Sequence, residues 1–461
     1  MAMLCFASTS LVANAEERLP NFVLIYCDDL GIGDLGCYGR TEYKTPHLDH
    51  LAAEGVRCTD FHTAAAVCSA SRAALLTGCY PQRIGILGAL GPDAKHGIHA
   101  DERLLPEILK QRGYATAIFG KWHLGHHEPF LPMQHGFDHY FGLPYSNDMW
   151  PFHPAAKNFT ALPLIDGNKT THVNPDQTKL TEWYTQRSLE FIERSGDKPF
   201  LLYLPHSMPH VPLFVGYPHY GKTGAGLYAD VITELDASVG RILAALDRLK
   251  LSDNTLVVFS SDNGPWLTYG NHAGSRGKYR EGKGTTFEGG MRVPMIARWP
   301  GQIPAGRTCD DFCSTLDVVP TFAALAGGEL AADRAIDGHD ISALLRGAPD
   351  AKSPYKAFYY YWNNGLDGIR SGDWKLHFPH TFPSLSGKPG RDGLPSGITQ
   401  GKIELSLFNL ADDPSESKNV IAEHPDVVAR LEKFADAARA DLGDSHRKIE
   451  GSGRRTAGRL P

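Results

Sequence analysis

The chain predicts an α/β fold in which a large, mostly parallel sheet is sandwiched by helices, followed by a smaller C-terminal α+β domain carrying an antiparallel sheet. Three observations lead there. Unbroken apolar runs such as NFVLIYCDD (21–29) alternate with helical patterns, the mark of strands buried on both faces. After about residue 350 the pattern changes to short strand-like runs and turns. The chain has 461 residues, 42% of them hydrophobic, enough for one large and one small unit.

Taken in order, 21–29 reads as a strand and HLDHLAAEG (47–55) as a helix closed by Gly55. Helical ERLLPEILKQRG leads into a strand in YATAIFGKW (114–122). The amphipathic LTEWYTQRSLEFIER precedes the strand PFLLYLPHS (199–207). The long helix YADVITELDASVGRILAALDRL precedes the strand NTLVVFSSDNG (254–264), and MIARWPG forms another strand. KAFYYYW, GIRSGDWKLHF and LSLFNL read as short antiparallel strands, and HPDVVARLEKFADAARADLG as one amphipathic helix. The segment 143–178 reads as a long polar loop of functional character. The expected divisions are a signal peptide over 1–15, the large α/β domain over 16–350, the α+β domain over 351–445 and a disordered basic tail over 446–461.

The formal charge of −6 excludes a nucleic-acid partner, which would need a clustered cationic excess. No run is long and apolar enough to span a membrane. A short apolar stretch ending in Ala13-Asn14-Ala15 has an A-x-A cleavage pattern and marks the chain as exported, periplasmic or secreted. Eight cysteines show no CxxC pairing, which excludes zinc. Cys309 and Cys313 suit either a small disulfide loop or two buried thiols.

Four predicted strands end in polar residues that a buried strand would avoid: Asp28-Asp29, Lys121 and His123 in GKWHLG, His206 and His210, and Asp262-Asn263 in SSDNG. Each alone reads equally as a turn or a cap. Together they occupy the carboxyl edge of one sheet, where ligands of such sheets bind. Asp28, Asp29, Asp262 and the Asn263 carbonyl form a set of hard oxygen ligands. Crowded carboxylates need a cation, and the absence of imidazole or thiolate favours Ca²⁺ or Mg²⁺, with Ca²⁺ preferred for its tolerance of irregular geometry. The other reading is an acidic, water-filled turn cluster. Around this set stand Arg72, Lys121, Lys283 and three histidines, cations that suit a sulfate or phosphate ester.

In AAAVCSASRAALLTG (64–78) the pattern predicts a helix over 69–77 stopped by Gly78. Cys68 then lies at the helix N-terminus, with Arg72 one turn away. Such surroundings predict a lowered thiol pKa and a reactive cysteine, against the alternative of a buried structural one.

Across nearly its whole length the chain resembles the type I, formylglycine-dependent sulfatases, of the arylsulfatase A and N-acetylgalactosamine-6-sulfatase type. The segments that carry the resemblance are LIYCDDLGIGDLGCYG, VCSASRAALLTG, GKWHLG, HGFDHYFGLPYSNDM, HSMPHVPLF, SSDNG, GKGTTFEGGMRVPMIARWPG and LFNLADDPSESKNV. The resemblance implies an alkaline-phosphatase-like fold and a sulfuric ester hydrolase acting on a sulfated carbohydrate or an aryl sulfate. It implies that Cys68 is oxidised by a maturation enzyme to Cα-formylglycine (3-oxoalanine), whose hydrate is the nucleophile. It implies one Ca²⁺ ion held by Asp28, Asp29, residue 68, Asp262 and Asn263, with Arg72 holding the hydrate. Lys121 and His123 match the GKWHLG pair and Ser146 a serine on the sulfate. His210 matches the histidine beside the leaving oxygen, and Lys283 the lysine across from it. The family's commonest motif is C-x-P-S-R, whereas Ala70 replaces the proline here. Alanine at this place implies maturation by a radical-type enzyme of the bacterial kind. Two alternatives are a phosphatase or phosphodiesterase of the same superfamily and an inactive sulfated-glycan-binding protein.

Overall fold

Five parallel strands form the centre of the molecule. The computed structural model describes residues 18–156 and 158–460. Across the sheet the order is Arg307–Cys309, Val56–Cys58, Met295–Arg298, Thr255–Ser261, Asn21–Cys27, Phe200–Pro205, Ala115–Phe119, His139–Gly142, Pro163–Asp166 and Lys169–Val173. From Thr255–Ser261 to His139–Gly142 neighbours run parallel, with Asn21 opposite Thr255 and Cys27 opposite Ser261. Met295–Arg298 and the hairpin Pro163–Asp166/Lys169–Val173 add antiparallel margins.

Alternate residues of Asn21–Cys27 serve two separate cores, as the period of two requires. Phe22, Leu24 and Tyr26 pack with Leu75, Leu76, Leu109 and Phe322 of the helices on one face. Val23, Ile25 and Cys27 pack with Tyr184, Ile192, Val231 and Val239 of the helices Leu180–Ser195 and Leu227–Arg248 on the other. Both faces are covered, so the strand is buried throughout and its sequence is apolar without a break.

The C-terminal domain carries an antiparallel sheet in the order Phe358–Trp362, Gly365–Ser371, Trp374–His377 and Ser406–Asn409. The helix Pro425–Leu442 covers it through Val427, Leu431, Ala435 and Leu442. A second hairpin, His380–Leu385 with Ile398–Ile403, extends back towards the large domain. Buried charges join the two domains. Arg370 donates to both oxygens of Asp60 at 2.8 and 2.5 Å, and the Lys375 ammonium lies 2.9 Å from both Glu288 and Glu416.

Some expectations are corrected. The loop 143–178 contains the hairpin at the sheet margin. Its second strand, KTTHV, is exposed along its length and so lacks the alternation that would reveal it. The tail expected to be disordered is laid against the large domain. Gly458–Arg459 pairs with His96–Gly97, and Arg455 donates to Glu102 at 2.7 and 2.8 Å. Its basic residues meet carboxylates of a distant segment, which local composition does not disclose. Cys309 and Cys313 are free, buried thiols, and Cys58 lies opposite Cys309 in the sheet. The leader expected over 1–15 lies outside the described residues. No helix among the described residues is long and apolar enough to cross a membrane.

Candidate active site

All five central strands release their chains at the same edge, and each supplies a polar residue there. Asp28 and Asp29 follow Cys27, and Asp262 and Asn263 follow Ser261. Lys121 and His123 follow Phe119, His210 follows Pro205, and Ser146 follows Gly142. The backbone is specialised for this. Asp29 and His123 both lie at φ +66°, in the left-handed region, where strain concentrates at functional sites. Gly120 lies at φ +139°, and a Cβ there would stand 1.9 Å from the Pro205 carbonyl oxygen.

The helix Cys68–Thr77 points its N-terminus at this edge and is stopped by Gly78 at φ +70°. Gly284 N–H donates to the Ala66 carbonyl at 2.9 Å, tying the Lys283 loop to the helix start. Cys68 is buried and lines a cleft of about 360 Å³. Its thiol pKa is raised, not lowered as the sequence suggested. Burial outweighs the attraction of Lys121 and Lys283, and Asp28 and Asp262 add to the rise.

Behind residue 68 lie three buried carboxylates. Asp262 Oδ2 accepts from Arg72 Nε at 3.0 Å and Nη2 at 2.8 Å. Arg72 Nη1 donates to the Lys121 carbonyl at 3.1 Å, so this guanidinium orients Asp262 and the GKWHLG turn. Lys121 Nζ bonds Asp28 Oδ2 and donates to Ser146 Oγ at 3.2 Å. Lys283 Nζ lies 2.8 Å from Asp29 Oδ1, 2.9 Å from Oδ2 and 3.0 Å from His210 Nε2, with its charge 4.3 Å above the Trp266 ring. Asn263 Nδ2 donates to Asp29 Oδ1 at 2.7 Å.

Two buried oxygens here, Asp28 Oδ1 and Asn263 Oδ1, have no hydrogen-bond partner. Burial pushes the Asp262 carboxyl up to about 7, and Asp28 and Asp29 add to the rise against Arg72 and Lys121. Burial would also raise Asp28, but Lys121, His210 and Arg72 hold it well below the usual carboxylate range. Three crowded carboxylates with two orphaned hard oxygens among them fit a divalent cation held by Asp28, Asp29, Asp262 and Asn263. Asp29 also lies 3.5 Å from His210 Nε2, so an imidazole adjoins the set. A second acidic group, Asp60, His62 and Glu288, is already met by Arg370, Arg292 and Lys375.

The histidines differ in role. His123 faces the Leu90 carbonyl through Nε2 at 2.9 Å, while its buried Nδ1 has no partner. Burial, with Lys121 and Arg72 nearby, drives its pKa well below the usual value. It is therefore a neutral imidazole protonated on Nε2, with Nδ1 free to take a proton. His210 Nδ1 donates to the Val211 carbonyl at 2.6 Å, which turns Nε2 towards Lys283 and Ser146. His206 is not part of the group. Its Nε2 faces Ser238 at 3.4 Å on the side of the long helices, and burial lowers its pKa to about 3.

The cleft brings in residues that sequence reasoning missed. Asp148, Glu281, Trp362, Leu385 and Ile398 line it, the last three from the C-terminal domain. Trp266 lines it as well. Trp150 packs against Phe152 and Phe214, and His153 accepts from the N–H groups of Ala155 and Ala156.

The sulfatase family profile matches residues 20–328, and that of the C-terminal region of aryl-sulfatase matches 353–454. The chain is 40% identical to arylsulfatase A of Bos taurus over 433 residues, covering 88% of this chain and 84% of the relative. It is 38% identical to N-acetylgalactosamine-6-sulfatase of Canis lupus familiaris over 460 residues, covering 93% and 87%. Among solved structures, the PsFucS1 sulfatase from Pseudoalteromonas sp. superposes with a TM-score of 0.82 at 30% identity, covering 92% of this chain and 90% of that one. With the large domain, the C-terminal region and the overall fold all matched, the chain belongs to the sulfatase family of sulfuric ester hydrolases.

Proposed function

We propose that this protein is exported and hydrolyses a sulfate ester of a carbohydrate to the alcohol and inorganic sulfate, using a formylglycine hydrate at position 68 and one Ca²⁺ ion. The observation that carries this reading is the position of residue 68. It stands at a helix N-terminus on the cleft wall, with hard oxygen ligands behind it and two ammonium groups close by. Burial holds a thiol there protonated and a poor nucleophile, so the unmodified cysteine is ill suited to be the attacking group.

Asp28, Asp29, Asp262 and Asn263, with residue 68, would hold the Ca²⁺, which supplies Lewis-acid neutralisation of charge on the sulfate oxygens. The hydrated aldehyde supplies one hydroxyl to attack sulfur and a second whose deprotonation later expels sulfate. Arg72 holds Asp262 Oδ2 through two hydrogen bonds and favours its ionised form against burial. Lys121, Lys283 and Ser146 hold the sulfate and meet the charge that builds on its outer oxygens. Lys283 Nζ donates to His210 Nε2, and the pair delivers the ammonium proton to the departing alcohol, His210 relaying it. His123 Nδ1 accepts the proton from the second hydroxyl. Ala70 assigns maturation to a radical-type enzyme.

The test is sulfate release from 4-nitrophenyl sulfate, galactose 6-sulfate and galactose 2,6-disulfate, beside phosphate release from 4-nitrophenyl phosphate. Sulfate release that stops on chelation and returns with Ca²⁺ is expected. Faster release of phosphate than of sulfate would move the protein to the phosphatase reading, and no release from any ester would favour a binding protein.

A further inference from the structure

Away from residue 68 the cleft is largely apolar. Met149, Trp266, Leu267, Trp362, Leu385 and Ile398 form its walls. The residues lining it include no arginine, and Lys283 is their only lysine. That ammonium is already committed to Asp29, His210 and the face of Trp266. Two carboxylates instead face the same space. Asp148 Oδ1 is buried with no hydrogen-bond partner. Glu281 accepts only a hydroxyl hydrogen bond, from Ser384 on the C-terminal hairpin at 3.0 Å. Its backbone is at φ +54°, a conformation that glycine or asparagine would take more readily. Neither carboxylate has an ion-pair partner among the described residues.

Two uncompensated carboxylates in an apolar cleft can accept hydrogen bonds from hydroxyl groups, and they repel anions. The apolar walls suit the carbon face of a ring. We infer that the outer cleft takes an uncharged sugar ring bearing a single sulfate. Asp148 and Glu281 are the specificity-determining residues: they accept from ring hydroxyls and reject a second negative charge. The inference rests on the sulfate-ester reading of the site. It excludes rings that carry a carboxylate or a further sulfate beside the reacting ester.

The experiment compares kcat/KM within two pairs that differ by one charge. One pair is 4-nitrophenyl sulfate and its ring-carboxylated analogue; the other is galactose 6-sulfate and galactose 2,6-disulfate. In whichever pair is cleaved, the neutral ring is expected to be favoured at least about tenfold, as one like charge at close range would give. Glu281→Gln and Asp148→Asn keep shape and hydrogen bonding but remove charge, and each is expected to shrink that ratio about threefold or more. A ratio near one in the parent protein, or a ratio unmoved in both variants, would overturn the inference while leaving the hydrolase reading standing. No sulfate released from any of the four esters would overturn the hydrolase reading, and this inference with it.

Discussion

Arg72 shows how much one side chain carries in this site. It is fully buried, and its paired bonds to Asp262 Oδ2 make it the counter-ion of a carboxylate that burial and like charge already destabilise. Arg72→Ala leaves that carboxylate unpaired and should cost about 3–5 kcal/mol in urea denaturation. Arg72→Lys should recover little, because a single ammonium cannot reproduce the fork. A loss below about 1 kcal/mol would remove Arg72 from this role. The sequence disclosed the strand-end residues because a carboxylate, lysine or histidine ending an apolar run is conspicuous. It misjudged the Cys68 thiol, because a helix N-terminus and nearby cations are visible in sequence while complete burial is not. Asp148 and Glu281 stand in non-periodic loops, where nothing local separates a cleft residue from a solvated one.

At the scale of elements, the site depends on close approaches between strand ends. Gly120 lets the chain leave Ala115–Phe119 directly beneath Pro205, and Lys121 N–H then donates to the Pro205 carbonyl at 2.7 Å. Gly120→Ala should destabilise the fold by about 2–4 kcal/mol, since a Cβ would clash at a positive φ. It should also lower kcat by displacing Lys121 and His123. Unchanged stability and turnover would show that the approach is not needed. The long helices and central strands were legible from periodicity over many residues. The hairpin Lys169–Val173 was not, because an exposed margin strand has no buried face to pattern it. The hairpin His380–Leu385/Ile398–Ile403 was missed for a similar reason, since only three of its residues are buried and they do not alternate along both strands.

For the whole molecule, the cleft is complete only when the two domains are joined, because Trp362, Leu385 and Ile398 close it from the C-terminal side. The joint is a buried network in which Lys375 neutralises Glu288 and Glu416, His62 bonds Glu288 at 2.9 Å and His377 bonds Glu416 at 2.7 Å. Lys375→Met should remove the ammonium that both carboxylates share, leaving His377 beside Glu416 and Arg292 and His62 beside Glu288, and cost about 3 kcal/mol, read as a lower denaturation midpoint. A neutral outcome would mean that apolar packing, not charge, holds the domains together. This joint was invisible in sequence, because its partners are separated by 87 positions in one pair and 310 in another. The central claim concerns side chain 68. Mass spectrometry of the peptide spanning residues 58–72, from protein made in its native host, reads that side chain directly. The account predicts an aldehyde in place of the thiol, in the same preparation that releases sulfate. An intact cysteine in protein that turns over sulfate esters at full rate would contradict it.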